Sequence, residues 1–235
     1  MVTKLDNTGE SFTPVTPKTD PTAPNAVFTQ HGSDKLAYNG DFEKGDLTAW
    51  TPSGDGRVIT GLGEWSPPQG SFMGIISTGL GFTTSSGSIE QNFCLPKEAT
   101  QITFDWNFNS EEFEEWCNSQ FDDKFIVELV TDTGTQTLFQ TSVNTICNGI
   151  GMSPTSLYFD QSGPGCTPSE NVGFGTGGQD CKVWSTDWKN EAVDVTAIAT
   201  ANEGKGVTLR LSSTDVGDSI FDSAILLDQI KIVKP

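Results

Sequence analysis

The sequence has little positive charge and almost no histidine, and both shortages limit the functions that the protein can have. Only 13 of its 235 residues are lysine or arginine, against 31 aspartates and glutamates, which gives a formal net charge of −18 at pH 7. Nucleic-acid binding needs clustered basic side chains, so nucleic acid is excluded as a partner. The single histidine, His31, cannot build a histidine metal cage, and its polar, loop-like surroundings argue against a catalytic role.

Long apolar runs are also missing. The longest are as short as residues 224–227, whereas a membrane-spanning helix needs about 20 mainly apolar residues. We therefore expect no membrane span. The 25 glycines and 12 prolines interrupt helices, and the chain is long enough for one large β domain with a substantial core. The composition favours an all-β protein.

The five cysteines form no C-x-x-C pair, which argues against zinc. Dispersed cysteines in an acidic chain rich in threonine and glycine are typical of an oxidising compartment, so we expect an extracellular or cell-surface protein. We predict a disulfide between Cys166 and Cys181, which bracket a glycine-rich segment, and a second between Cys117 and Cys147. Spacing does not fix the connectivity, and the odd count leaves a thiol unpaired or paired between chains.

Residues 1–30 carry four prolines and few large apolar side chains. This composition predicts an extended arm, followed by a single β-sandwich domain over residues 31–235. The arm either packs on its own domain or docks on a neighbouring subunit as a donated strand.

From Tyr38 onward, short apolar segments alternate with turn residues. In residues 102–108 isoleucine and aromatic side chains alternate with polar ones, which is the period-two pattern of a strand with one buried face. Further strands are predicted at 72–78, 88–94, 124–131, 135–142, 192–199, 206–213 and 223–233, with loops at 46–70 and 144–190 and no helix beyond a turn at 111–119. We predict a two-sheet antiparallel β-sandwich, with a jelly roll as the economical topology.

Two acidic segments are candidate metal sites. Six carboxylates fall within residues 111–123, and three more lie within 215–222 around Gly217. Such groups repel one another at neutral pH unless water or a cation separates them, and Ca²⁺ takes several oxygen ligands in irregular loops. We predict Ca²⁺ as the cofactor, with a solvated acidic surface as the alternative. The predicted ligands are Glu111, Glu112, Asp122, Asp123, Asp215, Asp218 and Asp222.

Several motifs resemble one family of secreted proteins. Residues 104–113 end in Ser-Glu-Glu-Phe, and 121–125 read Phe-Asp-Asp-Lys-Phe. Together with Gly-Ile-Ile-Ser-Thr-Gly at 74–79 and Asp-Ser-Ala-Ile-Leu-Leu-Asp at 222–228, they resemble the signature of bacterial secreted modules of the choice-of-anchor type. The resemblance covers about residues 70–233 and implies surface attachment or adhesion more than a particular activity.

A second resemblance begins with Asn-Gly-Asp-Phe-Glu at 39–43, with Trp50 seven residues on. This opening looks like that of jelly-roll carbohydrate-binding modules, whose structural calcium uses the glutamate of the motif and an aspartate of the final strand. The resemblance implies that Glu43 and Asp228 are calcium ligands. Gln229 departs from the family, which has a second aspartate or an asparagine there.

Four tryptophans in loop-like segments are candidate ligand-binding residues: Trp65, Trp116, Trp184 and Trp188. An exposed indole face suits the apolar side of a sugar ring. The alternative for each is packing beneath a long loop. Trp106 belongs to an alternating strand pattern and is predicted to be structural.

The leading hypothesis is a calcium-stabilised module that binds a glycan or a cell-surface protein, as an adhesin or lectin does. A second hypothesis is a structural subunit of a surface layer or extracellular filament that self-associates through the N-terminal arm. A third is a glycosidase that uses Glu112 and Glu114, which would share one face of a strand. Because the same carboxylates fit the calcium prediction, we expect no enzyme activity.

Overall fold

The computed structural model describes residues 37–79, 84–155, 157, 182–217 and 221–235. The elements in these ranges are β1 (Thr51–Ile59), β2 (Met73–Ser77), β3 (Ser86–Cys94), β4 (Gln101–Ser110), β5 (Lys124–Thr131), β6 (Gly134–Ser142), α1 (Val143–Cys147), β7 (Ser153–Pro154), β8 (Trp184–Ser185), β9 (Lys189–Asp194), α2 (Thr196–Ala201), β10 (Gly206–Thr214) and β11 (Ser223–Val233). The predicted arm at 1–30 and His31 lie outside the described residues.

Antiparallel pairing joins the strands into two sheets that share β1. The front sheet has the order β6-β5-β10-β3-β1 and uses residues 51–54 of β1. The back sheet has the order β1-β2-β11-β4-β8-β7, uses residues 55–59 of β1, and carries β9 on β4 as well. The predicted two-sheet antiparallel sandwich is confirmed, and its strand order is compatible with a jelly roll.

The main core lies between the two sheets, as the alternation in β4 predicts. Phe104 and Trp106 of the back sheet contact Phe125 and Phe139 of the front sheet, with ring centroids 5.4–6.1 Å apart. Burying one such side chain contributes about 1.5–3 kcal/mol. The predicted structural role of Trp106 is therefore confirmed.

A second, smaller apolar cluster covers the outer face of the back sheet. It consists of Leu62, Met73, Ile75, Leu157, Val183, Ala224 and Leu226. Because apolar clusters lie on both faces of the back sheet, β2 is buried at every position and β11 at all but two. Burial on both faces accounts for their nearly continuous apolar sequences.

Two of the sequence predictions about secondary structure are wrong. The predicted strand at 192–199 ends at Asp194, whose Oδ1 accepts the Thr196 N–H at 2.8 Å and so turns the chain into α2. The predicted loop at 46–70 contains β1. Pro52 and two glycines made this segment look like a loop, because these residues are uncommon inside strands.

Short helices are also present where none was predicted. α1 begins after Ser142, whose side chain accepts the Thr145 N–H at 3.2 Å and caps the helix. α1 and the strands β7 and β8 lie within the predicted loop at 144–190. Across the described ranges, no helix has the length and apolar character needed to span a bilayer.

Candidate functional site

The two predicted acidic segments meet at one end of the back sheet. β4 and β11 pair so that Ser110 lies opposite Ser223, and the next residues outward are Glu111 and Asp222. The Glu111 N–H donates to the Asp222 carbonyl at 3.2 Å, and the Asp222 N–H donates to Glu111 Oε2 at 3.2 Å. The register of one strand pair therefore brings distant acidic residues side by side.

Asp123 links the two acidic segments to β2. Its side chain is fully buried, and its backbone N–H donates to Glu112 Oε2 at 3.1 Å. Its Oδ1 accepts the Val216 N–H at 3.0 Å, and its Oδ2 accepts the Thr78 hydroxyl at 3.4 Å. The three motif segments, at 74–79, 104–125 and 222–228, thus meet around Asp123 and Asp222.

Strand β1 adds a buried ion pair that the sequence reasoning missed. Asp55 Oδ2 lies 3.2 Å from Arg57 Nη2 and accepts the Ser77 hydroxyl. Asp55 and Arg57 are both almost fully buried. The available signal was Asp-Gly-Arg, which places both charges on one face of a strand, but this segment was predicted to be a loop.

Five carboxylates in this region are no more than 7% exposed. We call them the acidic cluster: Asp55, Glu111, Glu112, Asp123 and Asp222. Arg57 is the single buried lysine or arginine among the described residues. Asp215 is half-buried at the rim of the cluster. The cluster therefore holds more negative than positive charge away from water.

Burial dominates the electrostatics of the acidic cluster. The pKa of Asp123 is raised to about 8, mainly by burial and to a smaller extent by the nearby Asp215 and Asp222, while hydrogen bonds from Ser223 and Val216 act in the opposite direction. Burial also raises the pKa of Asp55, although Arg57 acts in the opposite direction. Without a bound cation, Asp123 therefore keeps its proton at neutral pH.

Asp122 and the predicted disulfide hold residues 111–123 against α1. Asp122 Oδ1 accepts the Asn144 N–H at 2.8 Å. The predicted disulfide between Cys117 and Cys147 is confirmed, with a Cα–Cα distance of 5.9 Å. Cys94 is exposed and forms no disulfide with another cysteine that the structure describes.

Three other predicted residues cannot be placed. Asp218 and the predicted Cys166–Cys181 pair lie outside the described residues.

Glu43 contacts a short segment that also reaches Asp228. Glu43 Oε1 accepts the N–H groups of Ser71 and Phe72 at 2.8 and 2.9 Å. A side chain at Gly70 would collide with the Glu43 carboxylate, because a Cβ there would lie 2.2 Å from Oε1. The 39–43 motif is therefore held against residues 70–72.

Asp228 approaches the same segment from β11. Its Oδ1 accepts the Gln229 N–H at 2.7 Å, whereas its Oδ2 is buried and has no hydrogen-bond partner among the described residues. The pKa of Asp228 is raised to about 7, because burial outweighs the opposing hydrogen bonds from Gln229 and from the backbone of Gln69. Residues 69–72 thus connect the two carboxylates that the second resemblance names.

Two of the four predicted ligand-binding tryptophans share a surface. Trp65 and Trp188 are half-buried, and both pack against the apolar cluster on the outer face of the back sheet. This placement joins two residues that are far apart in the sequence.

The other two tryptophans make separate aromatic contacts. Trp184 packs on Phe113 with ring centroids 5.3 Å apart, and Trp116 packs on Phe121 at 4.9 Å. Both are half-buried. For Trp184 and Trp116, the aromatic contacts agree with the alternative to ligand binding, which is packing beneath neighbouring segments.

Two asparagines of β4 lie on the same outer face as Trp65 and Trp188. Asn107 is opposite Leu226 of the apolar cluster. Asn107 Nδ2, Asn109 Oδ1 and Trp65 Nε1 are buried, and no described residue forms a hydrogen bond with them. Such an atom costs about 1–3 kcal/mol and is rare in folded proteins. We call Trp65, Trp188, Asn107 and Asn109 the back-face site, which offers two donors and one acceptor.

No ready-made metal site is present in the part of the chain that the structure describes. There, no three or more histidine, cysteine, aspartate or glutamate side chains are arranged to hold a metal ion. A calcium ion at either predicted set therefore needs backbone, amide or water oxygens in addition to carboxylates.

The carboxylate pair of the glycosidase hypothesis does not form on a strand. β4 ends at Ser110, and residues 111–120 are turns and bends. Glu112 is buried beside Asp123, whereas Glu114 is exposed. The expected shared strand face is therefore wrong.

Comparison with protein-family models matches residues 73–231 to the Choice-of-anchor L domain. The chain belongs to this family. The match confirms the resemblance drawn from the Ser-Glu-Glu-Phe and Asp-Ser-Ala motifs, and its range is close to the predicted range of about 70–233. In this Choice-of-anchor L domain, the motif residues are those that form most of the acidic cluster. A comparison with curated proteins finds no match.

Solved structures give distant similarities to the Choice-of-anchor L domain. The carbohydrate-binding module TmCBM61, in complex with β-1,4-galactotriose, is 15% identical, with 87% of this chain and 100% of that chain covered and a TM-score of 0.43. Caldicellulosiruptor saccharolyticus CBM27-1, in complex with mannohexaose, is 10% identical, with 82% and 94% covered and a TM-score of 0.42. The K1 cleaved adhesin domain of Lys-gingipain from Porphyromonas gingivalis W83 is 12% identical, with 83% and 96% covered and a TM-score of 0.44. At such low identities and TM-scores, the ligands of those proteins do not identify the ligand of this domain.

Proposed function

We propose that this Choice-of-anchor L domain is a non-catalytic, calcium-stabilised module that binds glycans outside the cell. The observation that carries the proposal is the back-face site, where two half-buried indole rings lie on the same face as three buried polar atoms without partners. The disulfide between Cys117 and Cys147 supports an oxidising, extracellular location.

The chemistry of the back-face site suits a sugar ring. A pyranose has an apolar C–H face that packs on indole, and its hydroxyl groups both donate and accept hydrogen bonds. Among the described residues, Asn107 Nδ2 and Trp65 Nε1 are donors without partners and Asn109 Oδ1 is an acceptor without one, but all three atoms are buried. A glycan would therefore stack on the exposed parts of the two indole rings, and it would reach the three polar atoms only where the side chains above them move aside.

Replacing either indole ring of the back-face site should weaken glycan binding. Trp65→Ala and Trp188→Ala are each expected to reduce affinity about tenfold or more, because an aromatic anchor contributes ~1–2 kcal/mol to binding. A glycan array identifies the ligand, and titration calorimetry on that ligand measures the loss. Tyr38→Ala, which removes a ring that is 40% exposed outside this site, is the control. A wild-type array without a bound glycan contradicts the proposal.

The residues around Asp228 fit a calcium ion. The Asp228 and Glu43 carboxylates are hard oxygen ligands, and Asp228 Oδ2 is a buried oxygen without a hydrogen-bond partner. Burial disfavours the ionised form of Asp228, and the positive charge of a bound Ca²⁺ would stabilise that form. The two carboxylates would then tie residues 69–72 to the middle of β11.

Calcium is expected to raise the melting temperature of the wild-type domain, and chelation should lower it again. At a calcium concentration of 100 times Kd the gain is about 2.7 kcal/mol. Glu43→Gln and Asp228→Asn should each remove most of the shift in differential scanning calorimetry. Glu98→Gln removes an exposed carboxylate and should leave the shift intact. A midpoint that chelation does not change would rule out the calcium proposal.

The acidic cluster remains a second predicted cation set, together with Asp122, Asp215 and Asp218. Calcium stoichiometry tests it separately, since Asp228→Asn leaves the acidic cluster intact. Two ions in the wild type and one in this variant would support a second site, whereas no ion in the variant would exclude it.

A further inference from the structure

The two sheets end in edges of opposite character. The back sheet ends at β7, which contains Pro154, and at β9, whose sequence Lys-Asn-Glu-Ala-Val-Asp has three charged side chains. The front sheet ends at β6, whose nine residues include no charge and no proline. Proteins commonly protect edge strands with charges or proline, because unpaired backbone groups otherwise pair with another strand. The edge at β6 has neither charges nor proline, and its irregularity is a β-bulge at Leu138, where the pairing with β5 shifts by one residue.

β6 is fixed along one edge and open along the other. It pairs with β5, and Phe139 packs into the main core against Phe104 and Phe125. Among the described residues, no second strand pairs with β6, and residues 134–137 are exposed. Backbone donors and acceptors on either side of the bulge at Leu138 are therefore held in extended form at the surface.

The segment from β6 to α1 contains no charged residue, in a chain with a net charge of −18. The turn before β6 carries Asp132, which is ion-paired with Lys205 at 2.8 Å. α1, which follows β6, contains no charged residue. Residues 134–147 are thus a neutral strip of 14 positions in a strongly acidic protein. Two copies of the chain repel each other less at this strip than at an acidic surface.

We propose that β6 pairs with β6 of a second copy, antiparallel and across a two-fold axis, to form a dimer with a continuous front sheet. The same surface then serves both partners, as a closed two-fold interface requires. Identical neutral strands meet without like charges opposite each other, and threonine side chains form favourable cross-strand pairs. Because the back-face site lies on the other sheet, the dimer would present two copies of it.

Sedimentation velocity on the full chain over a concentration series tests the dimer. The wild type is expected to show a concentration-dependent monomer–dimer equilibrium. Thr135→Lys and Gln140→Lys, at exposed positions near opposite ends of β6, should each weaken the dimer at least tenfold. Thr200→Lys makes the same charge change on exposed α2 and should dimerise like the wild type.

Hydrogen exchange on the same samples identifies the segment that pairs. The amides of β6 should become better protected as the wild-type concentration rises, without a change in residues 1–36. A wild type that stays monomeric at every concentration would overturn the proposal. So would lysine variants that dimerise like the control, or protection of β6 that is accompanied by protection within residues 1–36, which would make the N-terminal segment the occupant.

Discussion

In calcium-free buffer, the free energy of unfolding is expected to fall as the pH rises from about 4 to about 8. An aspartate of the unfolded chain loses its proton near pH 4, whereas Asp123 keeps its proton in the folded state up to a pH of about 8. Between these values the unfolded state binds fewer protons, so rising pH favours unfolding by up to about 1.4 kcal/mol per pH unit. Asp228, whose folded pKa is raised to about 7, acts in the same direction up to that pH.

The variant Asp123→Asn isolates the contribution of Asp123. Asparagine does not titrate, so the pH dependence of its unfolding free energy should be clearly shallower than that of the wild type. Urea unfolding followed by tryptophan fluorescence at pH 4, 5, 6, 7 and 8 measures it. Asp132→Asn, on an exposed turn, should keep the wild-type slope. Equal slopes for Asp123→Asn and the wild type would show that Asp123 ionises normally in the folded protein.

The variant Arg57→Met is expected to lose about 3–5 kcal/mol of stability, because it leaves Asp55 buried without its cation. In the wild type Arg57 Nη2 lies 3.2 Å from Asp55 Oδ2, and both side chains are almost fully buried. Urea unfolding at constant pH measures the loss. The low exposure of both partners is what makes the expected effect large.

Two comparisons make the Arg57 result specific. Lys97→Met breaks an ion pair of 2.7 Å with Glu203, but both partners are about half exposed, so the cost should stay below ~1 kcal/mol. The double variant Asp55→Asn/Arg57→Met removes both charges and should recover much of the loss. An Arg57→Met loss as small as that of Lys97→Met would mean that Asp55 is adequately solvated or protonated without the guanidinium.

The strands with regular alternation could be predicted from the sequence. β5 begins and ends at the predicted residues because its alternating apolar side chains face the core. β11 does so because a short, nearly continuous apolar segment predicts a strand that is buried on both faces. β1 could not be predicted, since Pro52 and the glycines that let it pass between the two sheets are turn signals in the local sequence. Its strand character comes from pairing with β2 and β3, which local periodicity does not reveal.

The candidate site was predicted as two acidic segments, and their meeting depends on long-range pairing. Ser110 and Ser223 lie opposite each other because β4 pairs with β11, a register that no local pattern specifies. The contribution of Asp55 and Arg57 was missed along with β1. Asn107 was predicted on the polar side of a strand, but the apolar cluster lies on that face, and both Asn107 and Asn109 are buried there.

The passage of β1 from the front sheet to the back sheet has a consequence for cooperativity. Residues 51–54 pair with β3 and residues 55–59 pair with β2, so one continuous strand belongs to both layers. If one sheet separates from β1, the pairing of β1 with the other sheet is weakened as well. The two sheets are therefore expected to open as a single unit. A ligand or ion bound on the back sheet would therefore slow the exchange of amides in the front sheet as well.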